Sequence, residues 1–536
     1  MIIRKNKDKT KQEFLNGGLN EIQCFTPNIA DKIITYAENE LMLSSHINLT
    51  EKVNFHKDAI DPMIFIYSLL SAKTKCLFSI SEASVALTAP ELIKKYDLNI
   101  LSKKDIMTEG NMRSFINKIS TQNEVSDNEI EKILNSNIKK NNAINTPEKR
   151  KTVDKEEIKK ELKIKKSGGY FINLFNDIMS KLVEIIDRPK IHILDCVKIP
   201  VTTNNKNYEL STIIDYEGSP MRGYKMGVLR GLTENGGVIE YLIDGTIIES
   251  DITLTENPVA NFDGFKEGDF LLADRGFAKI EFIKKLVKRG INVIIPAKKN
   301  MDIFTEAVNQ AKKINDRDWH KHPNSKRDGQ EVVLIKDLKG VWLDEKEKNK
   351  KPVKALETAT DFSACVIRIE KEKNEDIVSA SEKSQDITDA LLEDEKYIYI
   401  VILSTNTSLS ASEIVRYYEL RPEIEEDFRQ LKDIWKMCTF YSTKYMMIMC
   451  NIAMTFLAYN LFNLYKYSPS GAKYINKSVR KIINEETRER YAFEELTYFI
   501  LCGNNYCLLD GLELLDLYAE CDKNTREKIR PLLSRN

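Results

Sequence analysis

Residues 270–297 read FLLADRGFAKIEFIKKLVKRGINVIIPA, and this stretch decides the fold class. FLLA is a short apolar run that stops at Asp274, AKIEFIKKLVKRG has a helical pattern, and INVIIPA is again a strand. A strand, a helix and a strand in succession imply parallel pairing in one sheet, because a parallel connection needs a crossover. Upstream, IHILDCVKIPV from Ile191, GYKMGVLRGL from Gly223 and VIEYLI from Val238 extend the strand-rich region. Downstream, YIYIVILS from Tyr397 is a long apolar strand, and Ser410-Ala-Ser-Glu413 is a capping box that starts a helix. Between them residues 300–395 are polar and rich in Lys and Glu. Short strands are expected there near Glu331–Ile335 and Ala364–Ile369, as in an insertion between core elements.

The chain has 536 residues, enough for about three to four domains at roughly 150 residues each. Charged residues make up 30% and hydrophobic residues 42%, which excludes wholesale disorder. Lys plus Arg and Asp plus Glu both total 81. Zero net charge argues on its face against a nucleic-acid partner. The 9 Cys form no C-x-x-C pair, and the opening Met1-Ile-Ile-Arg-Lys-Asn-Lys lacks the apolar run of a signal peptide, so reduced thiols in a cytoplasmic protein are expected. His320 and His322 are spaced like a zinc pair but have no Cys or second pair near them, and a polar loop explains them. Tyr445 to Tyr465 encloses no charged residue and has the length of a membrane span, yet Asn451, Thr455, Asn460 and Asn463 interrupt it. A buried core helix, with no membrane partner, is expected.

The first 120 residues read as helical. Thr26-Pro27 supplies a cap and a first-turn proline ahead of Ile29, Ile33 and Tyr36, and Pro62–Leu70 is a second buried helix. Residues 121–168 accumulate Asn and Lys, and Gly168-Gly169 closes this linker or exposed helix. Within it, residues 146–166 hold 9 basic and 5 acidic residues, a strip that suits phosphates or simply a solvated face.

The chemistry concentrates on a few side chains. Asp195 interrupts the apolar strand between Leu194 and Val197, where a carboxylate is costly unless it is paired or binds a cation. Asp274 ends another strand, at the carboxyl edge where ligands of parallel sheets gather. Capping or a backbone hydrogen bond would explain either aspartate equally well. Tyr418, Arg421, Glu425 and Lys432 project at roughly 0, 300, 340 and 320° if they share one helix at about 100° per residue, so all four face one way. Ile424, Phe428, Leu431 and Trp435 form the apolar stripe beside them. Such a face suits holding a metal ion and gripping phosphates, although an exposed Arg421–Glu425 salt bridge has the same spacing.

The string Tyr418-EL-Arg421-PEI-Glu425-EDFRQL-Lys432, with D-R-G-F at 274–277 and STNTSLSASEIVRYYELR ahead of the glutamate, resembles the Y-R-E-K signature branch of the DDE insertion-sequence transposases, the insertion sequence four family. The resemblance covers roughly residues 190 to 465. It implies an α/β fold with a ribonuclease H-like catalytic core, a mixed sheet flanked by helices, carrying a β-rich insertion, plus a helical N-terminal domain and a helical C-terminal region. The expected divisions are 1–120 (DNA-end binding), 121–170 (charged linker or exposed helix), 171–299 (first part of the core), 300–395 (insertion), 396–470 (second part of the core, with the glutamate helix) and 471–536 (helical).

By the same resemblance Asp195, Asp274 and Glu425 are the catalytic and metal-holding residues for two Mg²⁺ ions, with Mn²⁺ as a substitute. Tyr418, Arg421 and Lys432 bind DNA. The implied activity is a transposase that binds the inverted repeats of its element as a homodimer, cleaves there, and joins the 3′ hydroxyls to target double-stranded DNA. The alternatives are a ribonuclease H-like nuclease without strand transfer and an inactive DNA-binding descendant. Cys196 and Pro422 depart from the Ser or Thr and the Trp that the family often has. Proline fits a first helical turn or a kink, so it bends the one-helix projection above. The charge balance then predicts segregated basic strips, at Arg4–Lys11, at 146–166 and on the Arg421 face, offset by acidic runs such as Glu393-Asp-Glu395.

Overall fold

The computed structural model describes the chain apart from residues 1–2, 26–27, 48, 50–59, 76, 78, 85, 88, 97–106, 122–125, 127, 129, 132–154, 202–206, 235–236, 244–257, 325, 328, 339–360, 372–391, 394–395, 487–495 and 534–536. The expected cap at Thr26-Pro27, most of residues 121–154 within the expected 121–170 linker or exposed helix, and the end of the acidic run at 393–395 lie outside the described residues. The chain divides into two compact units, one of residues 1–185, 205–210 and 431–536, the other of 186–204 and 211–430.

The second unit is built on an 11-stranded sheet. At one end β3 (Ile191–Pro200) lies between β5 (Ser219–Leu232), antiparallel, and β7 (Phe270–Ala273), parallel. β4 (Thr212–Tyr216) and β6 (Val238–Ile243) pair with β5 along its other edge. β8 (Asn292–Pro296) runs parallel to β7, joined through the helix Ile280–Lys288 as the opening stretch requires. The sheet continues through antiparallel pairs to β13 (Tyr397–Ser404), β11 (Phe362–Glu370), β10 (Gln330–Leu338) and β9 (His320–Lys321), with β12 (Leu392–Glu393) on β13. The described strands of residues 300–395 are therefore hydrogen-bonded into the same sheet. Ile193, Leu194, Val228, Leu272, Ile294 and Ile402 are buried along its centre, each stabilising by about 1.5–3 kcal/mol relative to exposure.

The first unit holds most of the helices and a four-stranded sheet in the order β1 (Arg4–Lys5), β15 (Asn505–Asp510), β14 (Thr497–Cys502) and β2 (Leu19–Phe25). These strands correct the wholly helical reading of residues 1–120 and 471–536. β14 is a continuous apolar run whose partner β15 follows across the two residues Gly503 and Asn504, and β2 lies almost five hundred positions away in sequence. Local periodicity does not reveal such pairing.

The helix Tyr445–Tyr467 is the one described helix long and apolar enough to cross a membrane, and 89% of its apolar window is buried inside the protein. Gly168 and Gly169 do not close a linker. They lie within a helix that runs from Lys155 to Ile185, because a Cβ on Gly168 would meet the Tyr445 ring at 2.5 Å and only glycine permits that helix to approach Tyr445–Tyr467 so closely. Of the basic strip, residues 155–166 belong to this helix, with Lys160 and Lys163 exposed.

Candidate active site

Two strands, and two helices joined by a turn, build the site. Leu194 pairs with Ala273 in the parallel ladder of β3 and β7, so the next residue along each strand is an aspartate, Asp195 on one and Asp274 on the other. Asp195 is mostly buried between Leu194 and Val197, and its Oδ1 accepts a 2.7 Å hydrogen bond from the Cys196 amide. Asp274 precedes the short 3-10 turn Arg275–Phe277 and forms no capping hydrogen bond to it.

The signature residues do not share one helix. The capping box at Ser410 starts a helix, Ala411–Tyr418, held over the sheet by Tyr417, whose ring stacks 4.6 Å from that of Phe270 on β7. A turn over residues 419–422 follows, in which the Arg421 amide donates to the Tyr418 carbonyl at 3.0 Å and the Glu423 amide to that of Leu420 at 3.1 Å. The next helix is Glu423–Asp433. Pro422 enforces the break, since its ring cannot continue the preceding helix but fits at the start of a new one. The single projection arc is corrected accordingly. Tyr418 ends the first helix, Arg421 lies in the turn, Glu425 lies in the first turn of the second helix, and Trp435 lies beyond that helix. Glu423, Glu425 and Glu426 also suit that first turn because carboxylates stabilise a helix N-terminus.

Arg421 joins the pieces. Its Nη2 donates to Asp195 Oδ2 at 3.1 Å and its Nη1 to Glu425 Oε1 at 2.6 Å, while its Nε is buried without an acceptor. Burial pushes the Asp195 carboxyl up from 3.8 to about 6. The guanidinium of Arg421 and the Cys196 amide pull the other way, and the charges of Asp274 and Glu425 add to the rise. Burial, then Asp274, raises the Tyr418 phenol well above its ordinary range, so it stays protonated. Arg421 is held firmly as the cation, because Asp195, Asp274 and Glu425 outweigh the cost of its burial. Five of the six expected residues thus share one electrostatic environment. The sixth, Lys432, is in the last turn of Glu423–Asp433, in the segment assigned to the other unit.

As the side chains lie, no group of three His, Cys, Asp or Glu among the described residues is set to hold a metal ion. The donor set nevertheless fits a divalent cation by its chemistry. It offers three carboxylates against one guanidinium, and burial holds the Asp195 carboxyl up despite its pairing with Arg421. His320 is exposed on β9, and the His322 Nδ1 accepts from the Asn324 amide at 3.2 Å.

A second charged cluster was not anticipated. Arg230 on β5 and Glu240 on β6 are buried, directly opposite each other, and Arg230 forms ion pairs with Glu423 and Asp427 of the helix Glu423–Asp433. The signal that marked Asp195, a charged residue inside an apolar strand, is equally visible in GYKMGVLRGL and VIEYLI.

Residues 233–461 match the model of the transposase DDE domain. The match supports a transposase of the DDE type. It takes in Asp274, Tyr418, Arg421, Glu425 and Lys432 and begins after Asp195. Transposases of this type are DNA-cutting enzymes, and the grouping of acidic side chains around Arg421 falls largely within the matched domain. Among solved structures, the cryo-EM structure of a piggyBac transposase synaptic complex with hairpin DNA aligns with a TM-score of 0.31 at 12% identity, covering 89% of this chain and 85% of that one. No curated protein matches the chain.

Proposed function

We propose that the chain is a DNA transposase that binds the inverted repeats of its own element, cleaves the DNA there and joins the freed 3′ hydroxyls to a target duplex. The observation that carries this reading is that Arg421 donates to both Asp195 and Glu425, from a strand and a later helix, and also feels the charge of Asp274 at the end of the adjacent strand. The order β6, β5, β3, β7, β8 supports a ribonuclease H-like core, with β5 antiparallel to both β6 and β3, and with β3, β7 and β8 parallel.

Asp195, Asp274 and Glu425 would hold two divalent cations, Mg²⁺ or Mn²⁺, which when bound supply activation of the attacking oxygen and stabilisation of the leaving one. Arg421, with a buried Nε still lacking an acceptor, grips a phosphate of the transposon end. Tyr418 contributes a neutral donor beside it, and Lys432 a further cation. In this reading two copies pair two ends.

A strand-transfer assay tests the proposal. The purified protein, Mg²⁺ and a fragment carrying the repeats that flank its gene should yield plasmid with the fragment joined through its 3′ ends. Cutting without joining would favour a nuclease, and neither outcome would leave only a DNA-binding descendant.

A further inference from the structure

We propose that Arg230 is a positioning residue that sets the rotation and height of the helix bearing Glu425. Arg230 is 5% exposed and rises from β5. It is paired across the sheet with Ile193 of β3 on one side and Glu240 of β6 on the other. Residues directly opposite in antiparallel strands share a face, and so do residues two apart in one strand. Arg230 and Asp195 therefore rise from the same face of the sheet, the face that receives the helix Glu423–Asp433.

Arg230 reaches two residues of that helix at once. Its Nη1 donates to Glu423 Oε2 at 2.9 Å and its Nε donates to Asp427. Glu423 and Asp427 are four residues apart, hence on one helical face, and each is two residues from Glu425, about 200° round the axis. The guanidinium thus clasps the helix from behind the turn that presents Glu425 to Arg421 and, through it, to Asp195. A planar guanidinium held by two carboxylates resists both rolling and sliding of the helix, which a single contact would not. Glu240 lies 3.9 Å from the Arg230 Nε. Burial, reinforced by the charge of Asp427, pushes the Glu240 carboxyl well above its usual range, and the close ion pairs of Arg230 are those with Asp427 and Glu423.

The inference rests on the transposase reading in one respect, that Glu425 helps to hold a divalent cation. The test is Mn²⁺ binding to the full chain by calorimetry, alongside thermal melting. Wild type should bind Mn²⁺, and Glu425→Gln should weaken it. If Glu425→Gln binds as wild type does, the reading of Glu425 fails and the inference with it.

Given that loss, the double variant Arg230→Met with Asp427→Asn removes both buried charges together, which buried pairs often tolerate without loss of stability. It should melt near wild type but bind Mn²⁺ about tenfold or more weakly, the cost typical of losing a support behind a metal ligand. Glu423→Gln, at a partly solvated position that spares the fold, should show a smaller loss in the same direction. Glu426→Gln, which removes a charge paired with Arg429 and not with Arg230, should show none. A destabilised variant remote from the cluster in sequence, Gly168→Ala, should lower the melting temperature and leave Mn²⁺ affinity unchanged. Unchanged affinity in both the folded double variant and Glu423→Gln would overturn the positioning role while leaving the reading of Glu425 intact.

Discussion

The Arg421 Nη2 lies 3.1 Å from Asp195 Oδ2 although 226 residues separate the two in sequence. This contact joins the strand that carries the first carboxylate to the turn that carries the signature arginine, and Arg421 is also the residue through which Glu425 is tied in.

If Arg421 grips phosphate in the working complex, Arg421→Ala should weaken binding to end-bearing DNA and reduce the salt slope by about one unit, as expected for the loss of one phosphate contact. Fluorescence anisotropy at several salt concentrations measures both. An unchanged slope would confine Arg421 to its internal ion pairs.

The raised Asp195 carboxyl makes a pH prediction. A carboxyl held above its unfolded value favours the folded protein while protonated. That contribution is complete below about pH 3.8, declines as the pH rises through about 6, and is gone at neutrality. Asp195→Asn keeps the neutral form at every pH. Its stability should therefore gain on wild type between pH 4 and 7, by at most about 3 kcal/mol at about 1.36 kcal/mol per pKa unit. Urea unfolding of both proteins without divalent cations checks this. A difference that does not change with pH would mean that Asp195 is not perturbed.

The two neighbouring glycines of the helix Lys155–Ile185 should respond in opposite directions. Gly168→Ala drives a methyl into the Tyr445 ring and the Met449 side chain and should cost about 1–3 kcal/mol. Nothing lies within 4 Å of a Cβ on Gly169, so Gly169→Ala should stabilise by about 0.5–1 kcal/mol through helix propensity. Thermal melts of the two variants decide it.

The sequence was most readable where local pattern and burial agree. The strand, helix and strand of residues 270–297 and the apolar run holding Asp195 form as their periodicity implies, and the capping box at Ser410 starts its helix with both reciprocal hydrogen bonds. The signature residues were legible as a spacing but not as a geometry. Pro422 breaks the helix, so Tyr418 and Glu425 lie on two helices joined by a turn and not along one face. Two features depended on partners far away in sequence. β2 finds β14 across nearly the whole chain, and Gly168 reads as a linker until Tyr445 is placed against it. The Arg230 cluster was legible only in part. Arg230 and Glu240 each interrupt an apolar strand, but their meeting with each other and with the helix carrying Glu425 shows only once β5, β6 and that helix are placed together.

The central claim is that Asp195, Asp274 and Glu425 act together on DNA. The most direct measurement compares cleavage and binding of end-bearing DNA in Mg²⁺ by wild type, Asp195→Asn, Asp274→Asn and Glu425→Gln. Each variant is expected to bind the DNA within about twofold of wild type, because the carboxylates donate nothing to phosphate, and to lose cleavage by about a thousandfold or more, an effect of about 4 kcal/mol on the barrier. Wild-type cleavage by any one of the three would contradict the account.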